Sequence, residues 1–206
     1  GGEPLVRLHL DRLVSMLVSI HGIEEVSMTT NGTLLAKYAA ELKTAGLKRV
    51  NVSLDSLKPD KFAYITGGEK LNEVLQGIDV ANNVGLVPVK INMVVLKGIN
   101  DDEILDFARK TINDGWNVRY IEHMPFAGAK MQGNDLVSSQ EIMSIIRKQF
   151  GGLEPHHPSV GNGPAKYYKL PDSNGTLGFI GAVTECFCAN CNRFRLTSDG
   201  KLRPCL

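Results

Sequence analysis

Apolar residues along this chain switch repeatedly between a helical spacing and strand-like runs. Residues 5–20, LVRLHLDRLVSMLVSI, space their apolar positions as an amphipathic helix does. EVSMTT (25–30) predicts a strand stopped by Asn31-Gly32, and LLAKYAAELKTAG (34–46) a helix ending on Gly46. RVNVSLDS (49–56) is strand-like, KLNEVLQGIDVANNVG (70–85) helical, and PVKINMVVL (88–96) strand-like again. Asn100 with Glu103 predicts a capping box before a helix over 101–114, followed by a strand over 118–124. Ser138 with Glu141 caps a further helix through Phe150.

This alternation predicts an α/β fold: a parallel sheet that right-handed crossovers curl into a partial (β/α) barrel over residues 1–150. Residues 151–164, GGLEPHHPSVGNGP, lack periodicity and predict a linker. AKYYKLP, TLGFIGA and FRLTSDGKLRP follow as short antiparallel strands. Residues 151–206 are thus expected as a linker plus a C-terminal, β-rich, cysteine-bearing extension.

Charge narrows the partners. The formal net charge is +1 over 206 residues and aromatics make up 6%, which excludes a nucleic-acid-coating surface and an RNA-stacking platform. No apolar run reaches membrane-spanning length, and Gly1-Gly2-Glu3-Pro4 is not a signal peptide. A cytoplasmic chain that starts without an initiator Met, and so is a fragment or a chain whose start has been removed, is the expectation.

Candidate chemistry gathers at the C-terminal ends of the expected strands, where βα folds place function. These ends carry Gly1-Gly2-Glu3, Thr29-Thr30-Asn31-Gly32, Ser53-Leu54-Asp55-Ser56 and Arg119 through Met124. Turn chemistry explains any one of them alone; four on one rim point to a ligand. Glycines let a backbone edge approach a ligand, and Glu3 offers an acceptor for an ammonium. Lys90 and Asn92 alternate on one strand and share a face, either solvated or turned toward an anion. Arg193 and Arg195 alternate likewise, as suits a phosphate chain or an ordinary surface ion pair.

All four cysteines lie within residues 186–205. Cys188, Cys191 and Cys205 offer three thiolates at metal-site spacing, with Cys186 a poorer candidate. His156 and His157 are remote options for a fourth ligand. Spacing leaves zinc and iron–sulfur equally open.

Taken together, GGEPLVR, TTNGTLL, LKRVNVSLDSL, VKINMVVLKGINDDEI, VRYIEHMP and FCANCNRFRLTSDGKLRPCL resemble the GTP 3′,8-cyclases of molybdenum cofactor biosynthesis, within the radical S-adenosylmethionine superfamily. The resemblance runs from Gly1 to Leu206 and is most specific in the C-terminal cysteine stretch. It implies a barrel of the radical S-adenosylmethionine type. Cys188, Cys191 and Cys205 would hold a [4Fe–4S] cluster whose open iron the guanine of GTP approaches. Thr29, Lys90, Arg119, Arg193, Phe194 and Arg195 would bind GTP. Gly2, Ser53 and Met124 would bind S-adenosylmethionine, with Gly1 and Glu3 on the same edge. The implied reaction generates a 5′-deoxyadenosyl radical, abstracts hydrogen from C3′ of the GTP ribose and closes C3′ onto C8, giving 3′,8-cyclo-7,8-dihydro-GTP. Implied partners are GTP, an electron donor, a second copy in a homodimer, and a downstream cyclic pyranopterin monophosphate synthase.

The chain departs from the resemblance in two places. A first cluster motif, C-x3-C-x2-C upstream of Gly-Gly-Glu, is not present, nor is the segment beyond the last cysteine with its glycine pair. This stretch alone is therefore expected not to cleave S-adenosylmethionine, and its barrel to have an exposed sheet edge. Two alternatives remain beside it: another radical S-adenosylmethionine enzyme with an auxiliary cluster, and a zinc-stabilised nucleotide-binding module.

Overall fold

The computed structural model describes residues 2–124, 136–157, 163–185 and 193–203. The first apolar stretch divides in two. Pro4–Val6 form a single 3-10 turn, and α1 runs over Leu10–Val18, with His9 in left-handed backbone at its start. Then follow β1 (Ser27–Thr30), α2 (Leu35–Thr44) and β2 (Arg49–Ser53). Gly46, at φ 103°, closes α2 with a bond from the Leu47 amide back to Leu42, the ending expected from its sequence.

An unexpected helix, α3 (Pro59–Thr66), occupies the crossover from β2. Its marks are nonetheless present: Pro59 sits in the first turn and Gly67 ends it in left-handed backbone. Next come α4 (Leu71–Asn83), β3 (Lys90–Val95), α5 (Ile104–Asn113), β4 (Asn117–Glu122) and α6 (Ser139–Phe150). The Ser138 side chain accepts from the Glu141 amide and caps α6 as expected. The capping box at Asn100 is a correction: its side chain makes no cap bond. Instead Nδ2 donates to the carbonyls of Asp55 and Val94, and Oδ1 accepts from the Leu96 amide. Glu103 reaches across to accept from Ser56 Oγ and the Leu57 amide. Both side chains are fully buried, so tertiary partners outcompete the local cap.

β5 (Glu154–His156), β6 (Lys166–Lys169) and β7 (Thr176–Ile180) continue the same sheet, and β8 (Arg195–Leu196) with β9 (Leu202–Arg203) form a separate hairpin. The sheet order is β1-β2-β3-β4-β7-β6-β5. The first five strands in that order are parallel, while β6 and β5 run antiparallel. This is a partial parallel (β/α) barrel with a β-rich extension. Two details differ from expectation. The presumed linker contributes β5, and β7 is a fifth parallel strand paired with β4, besides pairing antiparallel with β6. The boundary expected at residue 151 therefore falls between α6 and a strand of the same sheet.

Strand register sorts the residues by face. One set of rows runs Thr30–Val52–Ile91–Val118–Leu177 and Met93–Tyr120–Phe179, nearly all apolar and buried in the core. The alternate set runs Thr29–Asn51–Lys90–Asn117–Thr176 and Ser53–Asn92–Arg119–Gly178. Its polar side chains cluster on the other face, because successive strand residues point to opposite sides.

Candidate functional site

The polar rows make one wall of a cavity of about 700 Å³. Thr29, Asn51, Asn92 and Arg119 line it from four adjacent strands, and Arg193 and Arg195 line it from the C-terminal segment. Asp55, Glu122, His123 and Met124 contribute at the strand ends, with Ile180 and Ala182 from the end of β7.

Arg119 is the centre of the wall. Its Nε donates to Asn92 Oδ1 at 2.8 Å and a terminal nitrogen donates to Asn51 Oδ1 at 2.7 Å. Asn51 Nδ2 in turn donates to Thr29 Oγ1 at 3.2 Å. Burial lowers the guanidinium pKa, the neighbouring Tyr167 opposes that shift, and the fields of Arg49 and Arg193 add to it. Gly178 on β7 makes room here: a Cβ at that position would stand 2.9 Å from Arg119 Cγ and 3.0 Å from Tyr167 Cε1.

Lys90 lies on the same face as Asn92, and it is buried there rather than solvated. Only 5% of it is exposed, and its ammonium stands 5.3 Å from the centre of the Tyr167 ring. Burial, with the nearby charges of Arg49 and Arg119, lowers its pKa to about 8, and Glu25 opposes them. A cation in this setting is easier to protonate once an anion arrives.

Carboxylates at the strand ends are engaged within the fold. Glu122 is buried and accepts from the Ser139 amide, the Thr184 hydroxyl, and the Val183 and Thr184 amides, at 2.6–2.9 Å. Burial pushes its pKa up, but these four donors outweigh it and hold the carboxyl below its ordinary value. Glu3 accepts from the Leu5 amide, the Thr30 hydroxyl and the Asn31 amide, pinning the end of β1. Asp55 accepts from the Val94 amide, and burial raises its pKa.

Of the residues singled out in the sequence, Thr29, Arg119, Met124, Arg193 and Arg195 meet at the cavity, with Lys90 buried on the same sheet face. Gly2, ahead of the Pro4–Val6 turn, and Ser53, at the end of β2, are exposed and do not line it. Phe194 is 73% exposed and points elsewhere than its two arginine neighbours. Gly1, Cys186, Cys188, Cys191 and Cys205 lie outside the described residues. His156 belongs to β5 and does not line the cavity, nor does His157.

Sequence reading passed over Asn51, Asp55 as an individual residue, Glu122, and His123. The signal for Asn51 was available, since it alternates with Val50 and Val52 in a strand that is otherwise apolar there.

Comparison with known proteins bears on which chemistry the cavity serves. The Radical SAM superfamily pattern matches residues 1–111, more than half of the chain. The chain belongs to the radical S-adenosylmethionine superfamily. Residues 116–206 match Molybdenum Cofactor Synthesis C. The chain is 49% identical over its whole length to a GTP 3′,8-cyclase of Moorella thermoacetica, covering 64% of that protein. It is 47% identical to a GTP 3′,8-cyclase of Trichodesmium erythraeum, again over the whole chain and 63% of the relative. The chain thus spans somewhat under two thirds of these relatives. Its fold is similar to the structure of TYW1 with a lysine-pyruvate adduct bound, at TM-score 0.56 and 19% identity, over 88% of this chain and 56% of that one. Membership in the superfamily implies a [4Fe–4S] cluster and S-adenosylmethionine as cofactors.

Proposed function

We propose that this chain is the barrel-and-tail portion of a GTP 3′,8-cyclase, the enzyme that converts GTP to 3′,8-cyclo-7,8-dihydro-GTP in molybdenum cofactor biosynthesis. The observation that carries the reading is the meeting of Arg119 from β4 with Arg193 and Arg195 from the C-terminal segment at one cavity. A buried triphosphate needs several cations, because an unpaired buried charge costs several kcal/mol. Three guanidiniums with buried Lys90 behind them match that need.

In this reading Arg119, Arg193, Arg195, Lys90 and Thr29 hold the phosphates and orient the ribose. Phe194, exposed between the two arginines, contributes to the nucleotide site. Gly1, Gly2, Glu3, Ser53 and Met124 form the S-adenosylmethionine edge. Glu3 acts there through the backbone it braces, since its carboxylate is already engaged with Thr30 and Asn31. Cys188, Cys191 and Cys205 hold the cluster beside the bound guanine, and the position of Arg193 and Arg195 on the cavity fits a tail that folds over it. Cluster and S-adenosylmethionine, when bound, supply the one-electron chemistry that removes a ribose hydrogen and joins C3′ to C8. The protein positions the two carbons and excludes water.

An electron donor, a homodimeric state, a downstream cyclic pyranopterin monophosphate synthase and a cytoplasmic location complete the proposal. No helix among the described residues is long and apolar enough to cross a membrane.

Titration calorimetry of the chain with GTP tests the reading. Micromolar binding that weakens at least ten-fold in Arg193→Ala with Arg195→Ala supports it. Equal affinity in wild type and the double variant overturns it. Anaerobic reconstitution with iron and sulfide tests the cluster: a brown chromophore lost in Cys188→Ser supports it, and colourless protein retaining stoichiometric zinc favours a zinc module.

A further inference from the structure

Hydrogen-bond polarity along the cavity wall follows from one residue. A guanidinium has only donors, so any group bonded to it must turn an acceptor its way. Asn92 and Asn51 accordingly face Arg119 with Oδ1, at 2.8 and 2.7 Å. Each side-chain NH2 group then projects to the other side. Asn51 Nδ2 donates to Thr29 Oγ1 at 3.2 Å, which leaves the Thr29 hydrogen to point elsewhere. No acceptor for that hydrogen, and none for Asn92 Nδ2, exists among the described residues, and all four side chains line the cavity.

We propose that Asn51 is a positioning residue for this wall: locked by Arg119, it occupies one lone pair of the Thr29 hydroxyl and leaves that group's hydrogen free to donate to a polyphosphate. A phosphate chain, rich in lone pairs and without hydrogens to give, is the matching ligand. The inference rests on the GTP reading and adds to it the residue that sets the direction of the hydrogen bonds.

A double-mutant cycle tests it, with affinity measured for GTP and for inorganic triphosphate. Asn51→Asp keeps an oxygen toward Arg119 but puts a second oxygen toward Thr29, so the hydroxyl donates to it and not to the ligand. Thr29→Val should cost about ten-fold in affinity in the wild-type background, the size of one hydrogen bond to a charged group. In the Asn51→Asp background the same change should cost less than about two-fold. The added negative charge is present in both members of the second pair and cancels. Asn51→Leu, which is uncharged and of similar volume, supplies the same cycle if Asn51→Asp does not fold; there Thr29→Val should cost about three-fold or less. An equal Thr29→Val cost in every background overturns the inference while leaving the GTP reading standing. A wild-type chain that binds triphosphate but not GTP sinks the GTP reading and leaves the wall's polarity to be judged by the triphosphate cycle. Binding of neither ligand overturns both.

Discussion

Arg119 and Glu122 stand three residues apart on β4, and the fold treats them oppositely. Around Glu122 the structure is closed: four donors from α6 and from residues 183–184 satisfy both carboxylate oxygens. Around Arg119, two asparagine side chains and Tyr167 hold the guanidinium, while the cavity it lines is also lined by further cations. Glu3 and Glu103 repeat the first pattern, each accepting from backbone amides at a strand end. The cavity thus gathers three guanidiniums beside two hydrogen-bonded carboxylates, Asp55 and Glu122, although the whole chain carries a formal charge of only +1. Acidic side chains near the strand ends have their lone pairs taken up by hydrogen bonds that build the fold, whereas Arg119, Arg193 and Arg195 face the cavity.

That contrast breaks most visibly at Glu122. Glu122→Gln places an NH2 group against donors that want an acceptor, and about 2–4 kcal/mol of stability should be lost at neutral pH in urea unfolding. The sign with pH follows from the lowered carboxyl pKa. Its contribution is present above the unfolded value and disappears as pH falls through the folded one, so wild type and variant should converge on acidification.

Lys90 should behave the other way. Its folded pKa, about 8, lies below the unfolded one, so the unfolded chain binds more protons between about 8 and the ordinary lysine value of roughly 10.4. Stability of the ligand-free chain should therefore rise with pH across that window, by up to about 3 kcal/mol, relative to Lys90→Met. At neutral pH the Met variant should be the more stable of the two and the weaker binder of triphosphate. A wild type that gains nothing over the variant across this window would show that Lys90 is solvated.

Gly178→Ala probes the open side more gently. The new methyl must displace Arg119 or the Tyr167 ring, costing about 1–3 kcal/mol as overpacking does, with triphosphate affinity falling alongside stability. If stability falls and affinity does not, Arg119 does not contact the ligand.

Asp102→Asn sharpens the contrast from outside. This half-exposed carboxylate pairs with Lys58 and Lys61, which hold its pKa down at about 2. Solvent screens such pairs, so neither the urea midpoint nor nucleotide affinity should move measurably.

Much of the fold was legible before any coordinates. Alternating patterns located β1 through β4 and most of their helices, because burial of one face imposes its period on the residues. What the pattern concealed was pairing. α3 was missed despite Pro59 and Gly67, and the pairing of β7 with β4 joins residues far apart in the chain. Asn100 and Glu103 illustrate the limit. Their spacing fits a local cap, but buried carbonyls and amides from other segments supply better-enclosed partners.

The candidate site divides along the same line. Arg119, Arg193, Arg195, Thr29 and Met124 were identifiable as residue types at strand ends or on one strand face, and they meet. Asn51 was visible only as a polar residue alternating with Val50 and Val52; its partners were not, because an asparagine in a strand announces none. Its importance comes from a register that sets it beside Thr29 and Lys90, and from Arg119 one row away.

By itself the amino-acid order determined which residues alternate, where helices start and stop, and which side chains are able to bind an anion. Only the tertiary structure decided which of those groups are occupied. Local pattern reflects interactions a few residues apart, whereas the engagement of Glu122 and the orientation of Asn51 depend on strands and loops brought together by the pairing of strands in the sheet.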